Sequence, residues 1–177
     1  MKPWTLALAA AVACGLARDA RAGGDENLLL LSGGANVGVS SHDQIANGFV
    51  LGAEASLVFL HLGAGKSPPD ADAPGVPSGT PGWVGLYTDV VRDTGPDTTR
   101  FTIGPELGIT VLGVDGGLLA ELGDQGRWGL TVRPALTLGV LALYGRFGHF
   151  MDDLPEPEFF ETGLLIKVPL PLWEQGR

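Results

Sequence analysis

A chain of 177 residues with 45% hydrophobic side chains, 28 glycines and a formal net charge of −9 is long enough for one domain with a sizeable core. The acidic balance excludes a nucleic-acid binder, which needs a cationic surface. A single cysteine, Cys14, excludes a disulfide framework.

The chain begins like an export signal. Lys2 supplies a charged start, "WTLALAAAVACGLA" an apolar centre, and "ARA" before Gly23 a small-x-small cleavage site. The apolar run is shorter than the ~20 residues of a spanning helix and is interrupted by Arg18, Asp19 and Arg21. Residues 1–22 are therefore expected to be a signal peptide, and 23–177 a single domain. Cys14 follows "AVA", but Ala11 stands where a lipoprotein site prefers Leu. Removing Lys2, Arg18, Arg21 and Asp19 leaves 8 basic and 19 acidic residues, a charge of −11, and no cysteine.

Beyond the leader, no apolar run reaches the length of a spanning helix, and alternation replaces helical periodicity. In "LLLLSGGANVGVS", Leu29, Leu31, Ala35, Val37 and Val39 share one parity, and Ser32, Gly34, Asn36 and Gly38 the other. "GFVLGAEASLVFL", "WVGLYTDVV", "FTIGPELGITV" and "FETGLLIKV" behave alike. The expected strands are 28–39, 49–62, 83–91, 101–112, 115–122, 128–138, 141–148 and 159–168. The connector 63–81, "GAGKSPPDADAPGVPSGTP", is Pro- and Gly-rich and reads as a loop.

The stretch "RPALTLGVLALYGRFG" folds as a hairpin about Gly139-Val140, since glycine first suits a tight turn with positive φ. Leu138 then faces Leu141 and Arg133 faces Arg146. One surface holds Arg133, Ala135, Thr137, Ala142, Tyr144 and Arg146. The other holds Leu136, Leu138, Leu141, Leu143 and Phe147. A second "LGV" places a turn at Gly113-Val114 and pairs Glu106 with Glu121. Like charges facing one another destabilise a sheet. They make sense if Glu106 and Glu121 bond Arg133 and Arg146 across a closed interior, because arginine forks onto carboxylates. Glu54, Glu161, Lys167 and, less directly, Asp89 share that inward parity.

The polar face is mostly Gly, Ala and Thr with isolated charges, unlike the Lys- and Glu-rich outside of a soluble sandwich. It fits the crowded interior of a narrow barrel, with the apolar face outward. Aromatics fall at two levels. Phe49, Phe101, Trp128, Phe147, Phe159 and Phe160 would form an outer rim, and Phe59, Trp83 and Trp173 a periplasmic one.

In this pattern the chain resembles the small outer-membrane β-barrels of Gram-negative bacteria. The resemblance implies an all-β, antiparallel up-and-down barrel of about eight strands, with both termini in the periplasm and the lumen plugged by charged side chains. It implies a non-enzymatic structural, adhesive or envelope-maintenance role in the outer membrane. The partners would be membrane lipid and lipopolysaccharide. Two features depart from the family: 63–81 would be a long periplasmic connection, and Pro169 and Pro171 interrupt the last strand. The alternative is a soluble periplasmic barrel or sandwich that binds an apolar ligand in its greasy face.

Little chemistry competes with this reading. His42, His61 and His149 lack metal-ligand spacing. "SSH" at Ser40–His42 puts hydroxyls beside an imidazole, but adjacency in sequence makes no nucleophile–base pair, so a lipid-modifying hydrolase is the weakest alternative. "SGGANVG" lacks both phosphate-loop and dinucleotide-fingerprint spacing. The acidic segment 152–161 reads as a solvated loop rather than a cation site. No cofactor is expected.

Overall fold

The computed structural model describes residues 26–42, 47–62, 81–123, 126–152 and 158–175. The expected signal peptide, nearly all of the connector 63–81, and 153–157 of the acidic segment lie outside the described residues. Eight strands follow in order: β1 (Glu26–His42), β2 (Gly48–Leu62), β3 (Gly82–Asp93), β4 (Thr98–Ile109), β5 (Leu112–Leu122), β6 (Arg127–Leu138), β7 (Leu141–Phe150) and β8 (Glu158–Gln175). Each pairs antiparallel with the next, and β8 pairs with β1, so the sheet closes into an up-and-down barrel.

Alternation sets which side chains face the lumen. Along β7, Ala142, Tyr144, Arg146 and Phe150 are buried, while Leu141, Leu143 and Phe147 are exposed. Every strand repeats this split. Leu31, Leu51, Leu86, Ile103, Leu118, Leu130, Leu143 and Ile166 mark the outer wall of β1 to β8 in turn, each more than two-fifths exposed. The fold therefore turns its greasy face outward and its polar face inward.

The barrel has two ends. One carries the strand ends Glu26, Leu62, Gly82 and Gln175 and the tight turns at 110–111 and 139–140, and is called the terminal end below. The other, the loop end, carries the strand ends His42, Gly48, Leu122, Arg127, Phe150 and Glu158 and the turn at 94–97. Inside, Leu28, Leu30 and Val58 cluster at the terminal end with Leu60 and Trp83. Leu119, Phe150 and Phe159 cluster at the loop end. The buried charges lie between.

The β6–β7 hairpin turns at Gly139-Val140, with Leu138 opposite Leu141. The β4–β5 hairpin does not turn at Gly113-Val114. It turns at Thr110-Val111, with Ile109 opposite Leu112, so Glu106 faces Asp115 rather than Glu121. The cause is Trp83. Gly113 sits in the ladder opposite Gly108, and the indole lies over both. A Cβ at Gly108 would strike the ring, and one at Gly113 would come within 3.1 Å of it. The second "LGV" is thus a ring seat, not a turn.

β8 continues through Pro169 and Pro171, beyond its expected end. Its pairing with β7 stops at Ile166, so its last residues have a ladder only on the β1 side, where the register shifts between Leu29 and Leu30. An edge with a bulge is where a strand tolerates proline.

Candidate functional site

The lumen holds the densest set of polar groups in the protein. Arg100, Arg133, Arg146, Glu54, Asp89, Asp93, Glu106, Asp115 and Glu161 are all buried. Buried charge requires pairing, because desolvation otherwise costs several kcal/mol per ion. Arg133 donates to Asp115 Oδ2 at 2.7 Å from Nε, and its Nη1 lies 2.6 Å from Glu54 Oε2. Arg100 donates to Asp93 at 2.9 Å and to Glu161 at 2.7 Å. Arg146 is bound to Asp89 and lies 3.8 Å from Glu161. Lys167 Nζ lies 2.9 Å from Glu54 Oε1 and 2.8 Å from Glu106 Oε2.

Most of these contacts follow one rule, Lys167–Glu54, between β8 and β2, being an exception. Glu54 and Arg133 join β2 to β6, Asp89 and Arg146 join β3 to β7, and both Arg100–Glu161 and Glu106–Lys167 join β4 to β8. Strands four apart in an eight-stranded ring stand on opposite walls. Such a ring is just narrow enough for side chains to fill, so an arginine and a carboxylate can meet across it. Each arginine also holds a carboxylate on an adjacent strand: Asp93, Asp115 or Glu161.

Aromatic rings line this layer. The Arg100 guanidinium lies 4.0 Å over the Phe159 ring, and Arg133 lies 4.9 Å from Tyr87. Tyr144 Oη donates to Glu161 at 2.7 Å.

Of the charges expected inside, Glu54, Glu106, Arg133, Arg146, Glu161 and Lys167 line the lumen. Their partners differ from the expected ones. Glu106 takes Lys167, not an arginine. Glu121 bonds neither Arg133 nor Arg146; it is half-buried near the loop end, where it accepts from Thr98 at 3.1 Å. The earlier turn slides β5 along β4 and sets Glu121 opposite Arg100. Arg100 and Asp93 were not anticipated, because the expected strands stopped one and two residues short of them. Extending the parity of Thr102 to Arg100, and of Asp89 to Asp93, would have found both.

The aromatics divide differently as well. Phe49, Trp128, Phe147 and Phe160 face outward near the loop end with half-buried Phe101 beside them, and the Phe147 and Phe160 rings meet at 4.8 Å between centroids, tilted by 48°. Phe59 is exposed toward the terminal end. Trp83 and Phe159 belong to neither rim, because both point into the lumen. Adjacent residues on a strand cannot share a face, so Phe160 outside forces Phe159 inside. The side chain of Trp173 lies outside the described residues.

Ser40 and His42 both bind Asp93: Ser40 Oγ donates to Oδ1 at 2.8 Å, and His42 Nε2 lies 3.1 Å from Oδ2. This fixes a carboxylate with two neighbours. It does not place the imidazole to draw a proton from the hydroxyl. His61 sits on Asn27 at 2.8 Å, and His149 lies 3.4 Å from Glu158. Among the described residues no three His, Cys, Asp or Glu side chains are grouped to hold a metal ion.

Fold and lumen together define a closed eight-stranded up-and-down barrel with buried, ion-paired charges in its interior. Compared with known protein families, curated proteins and solved structures, the chain matches none of them.

Proposed function

We propose that this protein is an outer-membrane β-barrel with a non-enzymatic role in envelope structure, adhesion or maintenance. The observation that carries the reading is the outer wall. Large apolar side chains stand exposed on all eight strands, with no other part of the described chain against them, while nine charged side chains are buried inside. Soluble monomers rarely expose apolar patches beyond a few hundred Å². A bilayer removes that cost, and a closed barrel meets its demand that every backbone group be bonded.

The outward aromatics near the loop end support the same reading, since such rings gather at the membrane–water interface. The tight turns at 110–111 and 139–140 share an end with Glu26 and Gln175, the first and last strand residues, the arrangement expected of the periplasmic side. The partner is then bilayer lipid, including the lipopolysaccharide leaflet at the loop end. Cross-lumen pairs fill the bore, so the barrel acts as a scaffold and not as an open pore.

The experiment is fractionation followed by gel mobility in SDS with and without boiling. The expected result is outer-membrane recovery and a compact band that shifts only on boiling. Recovery in the soluble periplasmic fraction would overturn the reading and favour a soluble ligand-binding barrel.

A further inference from the structure

We propose that the lumen mouth at the terminal end binds a small uncharged molecule, mainly hydrocarbon, in an apolar collar between Trp83 and the wall that carries Ala135 and Ala142. The inference adds a ligand site to the scaffold and does not depend on where the barrel resides.

A cavity of about 240 Å³ opens there, lined by all eight strands. Its wall is apolar: Leu30, Val58, Leu60, Trp83, Ala142 and Leu165 form a collar. An apolar cavity of about 150 Å³ accepts benzene, so this one has room for roughly ten non-hydrogen atoms. A greasy wall over a few convergent polar groups is the usual composition of a small-molecule site.

The space is built by the choice of side chains on opposite walls. Farther in, long charged side chains from strands four apart span the bore. At the mouth, Leu60 and Trp83 on β2 and β3 stand opposite β6 and β7. Near their turn, the inward positions of those two strands hold only Ala135, Thr137 and Ala142, too short to meet them. Trp83 leaves the bore open as well. Its indole is laid back over Gly108 and Gly113, because neither carries a Cβ to push it off the wall.

The floor selects against charge. It is made by Glu106, Asp115, Arg133 and Lys167, and each of these already has an opposite charge. Glu106 binds Lys167, which also reaches Glu54, and Arg133 binds Asp115 and Glu54. Ser56 adds a hydrogen bond to Glu106. A ligand ion of either sign would give up its hydration to reach groups that are already engaged. An uncharged hydrocarbon has no such hydration to lose, and it displaces water that finds few partners along the collar.

The test follows the Trp83 indole N–H signal by NMR in the folded protein in lipid nanodiscs. The probes share one skeleton: cyclohexylmethanol, cyclohexylmethylammonium and cyclohexanecarboxylate, each titrated against its free aqueous concentration. The Trp128 indole, exposed on the outer wall, reports uptake of each probe by the lipid. The expected result is a saturable Trp83 shift with the alcohol, at least tenfold tighter than with either ion, while Trp128 shows no saturation. Ala135→Leu, which puts a larger side chain into the cavity, should abolish the saturable shift. A smaller preference for the alcohol, or tighter binding of either ion, overturns the proposal. So do absence of a saturable Trp83 shift, or an Ala135→Leu variant that keeps it. The comparison of charges uses the unaltered protein, so it decides the matter even if Ala135→Leu fails to fold.

Discussion

Arg133 and Glu54 meet across the full width of the lumen, Nη1 to Oε2 at 2.6 Å, although β6 and β2 have no ladder in common. Around the ring, Arg146 does the same with Asp89, Arg100 with Glu161 and Lys167 with Glu106. The wall is held by backbone ladders, and its opposite sides are held by these spokes.

Removing one spoke partner should leave buried carboxylates short of counter-charge; without Arg133, Asp115 has no cation among the described residues and Glu54 has Lys167 alone. Arg133→Met strips Glu54 and Asp115 of their guanidinium. The expected loss is about 3–5 kcal/mol of unfolding free energy. Denaturant unfolding of the refolded protein in lipid vesicles measures it. Adding Glu54→Gln should restore part of the loss, since only one uncompensated carboxylate then remains. A strictly additive double mutant would argue against direct coupling of the pair.

The outer wall gives a depth-dependent expectation. Ile103 lies midway along β4, and Leu122 ends β5 at the loop end; both are about half exposed. In a bilayer, Ile103→Arg should cost about 2–4 kcal/mol and Leu122→Arg about 0–1. The same vesicle unfolding assay separates them. Equal, small costs at both sites would contradict a lipid-facing wall.

Two tight turns should respond in opposite directions to glycine. Thr110 holds φ +53°, a left-handed conformation unfavourable to a β-branched residue, and Gly139 holds φ +67°. Thr110→Gly should stabilise by about 0.5–1 kcal/mol, the relief exceeding the added chain entropy. Gly139→Ala should destabilise by about 1 kcal/mol. Thermal unfolding reads both signs.

The seat of Trp83 can be filled. A side chain at Gly108 would occupy the space of the indole. Gly108→Leu should therefore push the ring out of its slot, cost about 1–3 kcal/mol by overpacking, and move the Trp83 indole N–H resonance. An unmoved resonance would place the ring elsewhere.

Much of the architecture was readable from alternation, because a strand has only two faces and each strand here separates them. The register of the β6–β7 hairpin followed from the same split, with Gly139 well suited to its turn. The β4–β5 turn was not readable. Leu112-Gly113-Val114 repeats the motif of Leu138-Gly139-Val140, and only the packing of Trp83, distant in sequence, shows that Gly113 is needed in the ladder. Strand ends hid Arg100 and Asp93, since turn-adjacent polar residues look solvated until the barrel closes over them. Pairing partners were out of reach as well. Parity assigns a side chain to the lumen, but stagger around the ring decides which opposite residue it meets.

The spokes also divide the chain. Lining the lumen, β1 to β4 present Glu54, Asp89, Asp93 and Glu106 against the single Arg100. From β5 to β8, Arg133, Arg146 and Lys167 outnumber Asp115 and Glu161. The two halves are each other's counter-ions. A nascent chain ending after β4 carries a repelling row of acids with only Arg100 to offset it. Closure is then the event that discharges both halves together, which ties folding to completion of the ring and leaves the half-made barrel no stable resting place.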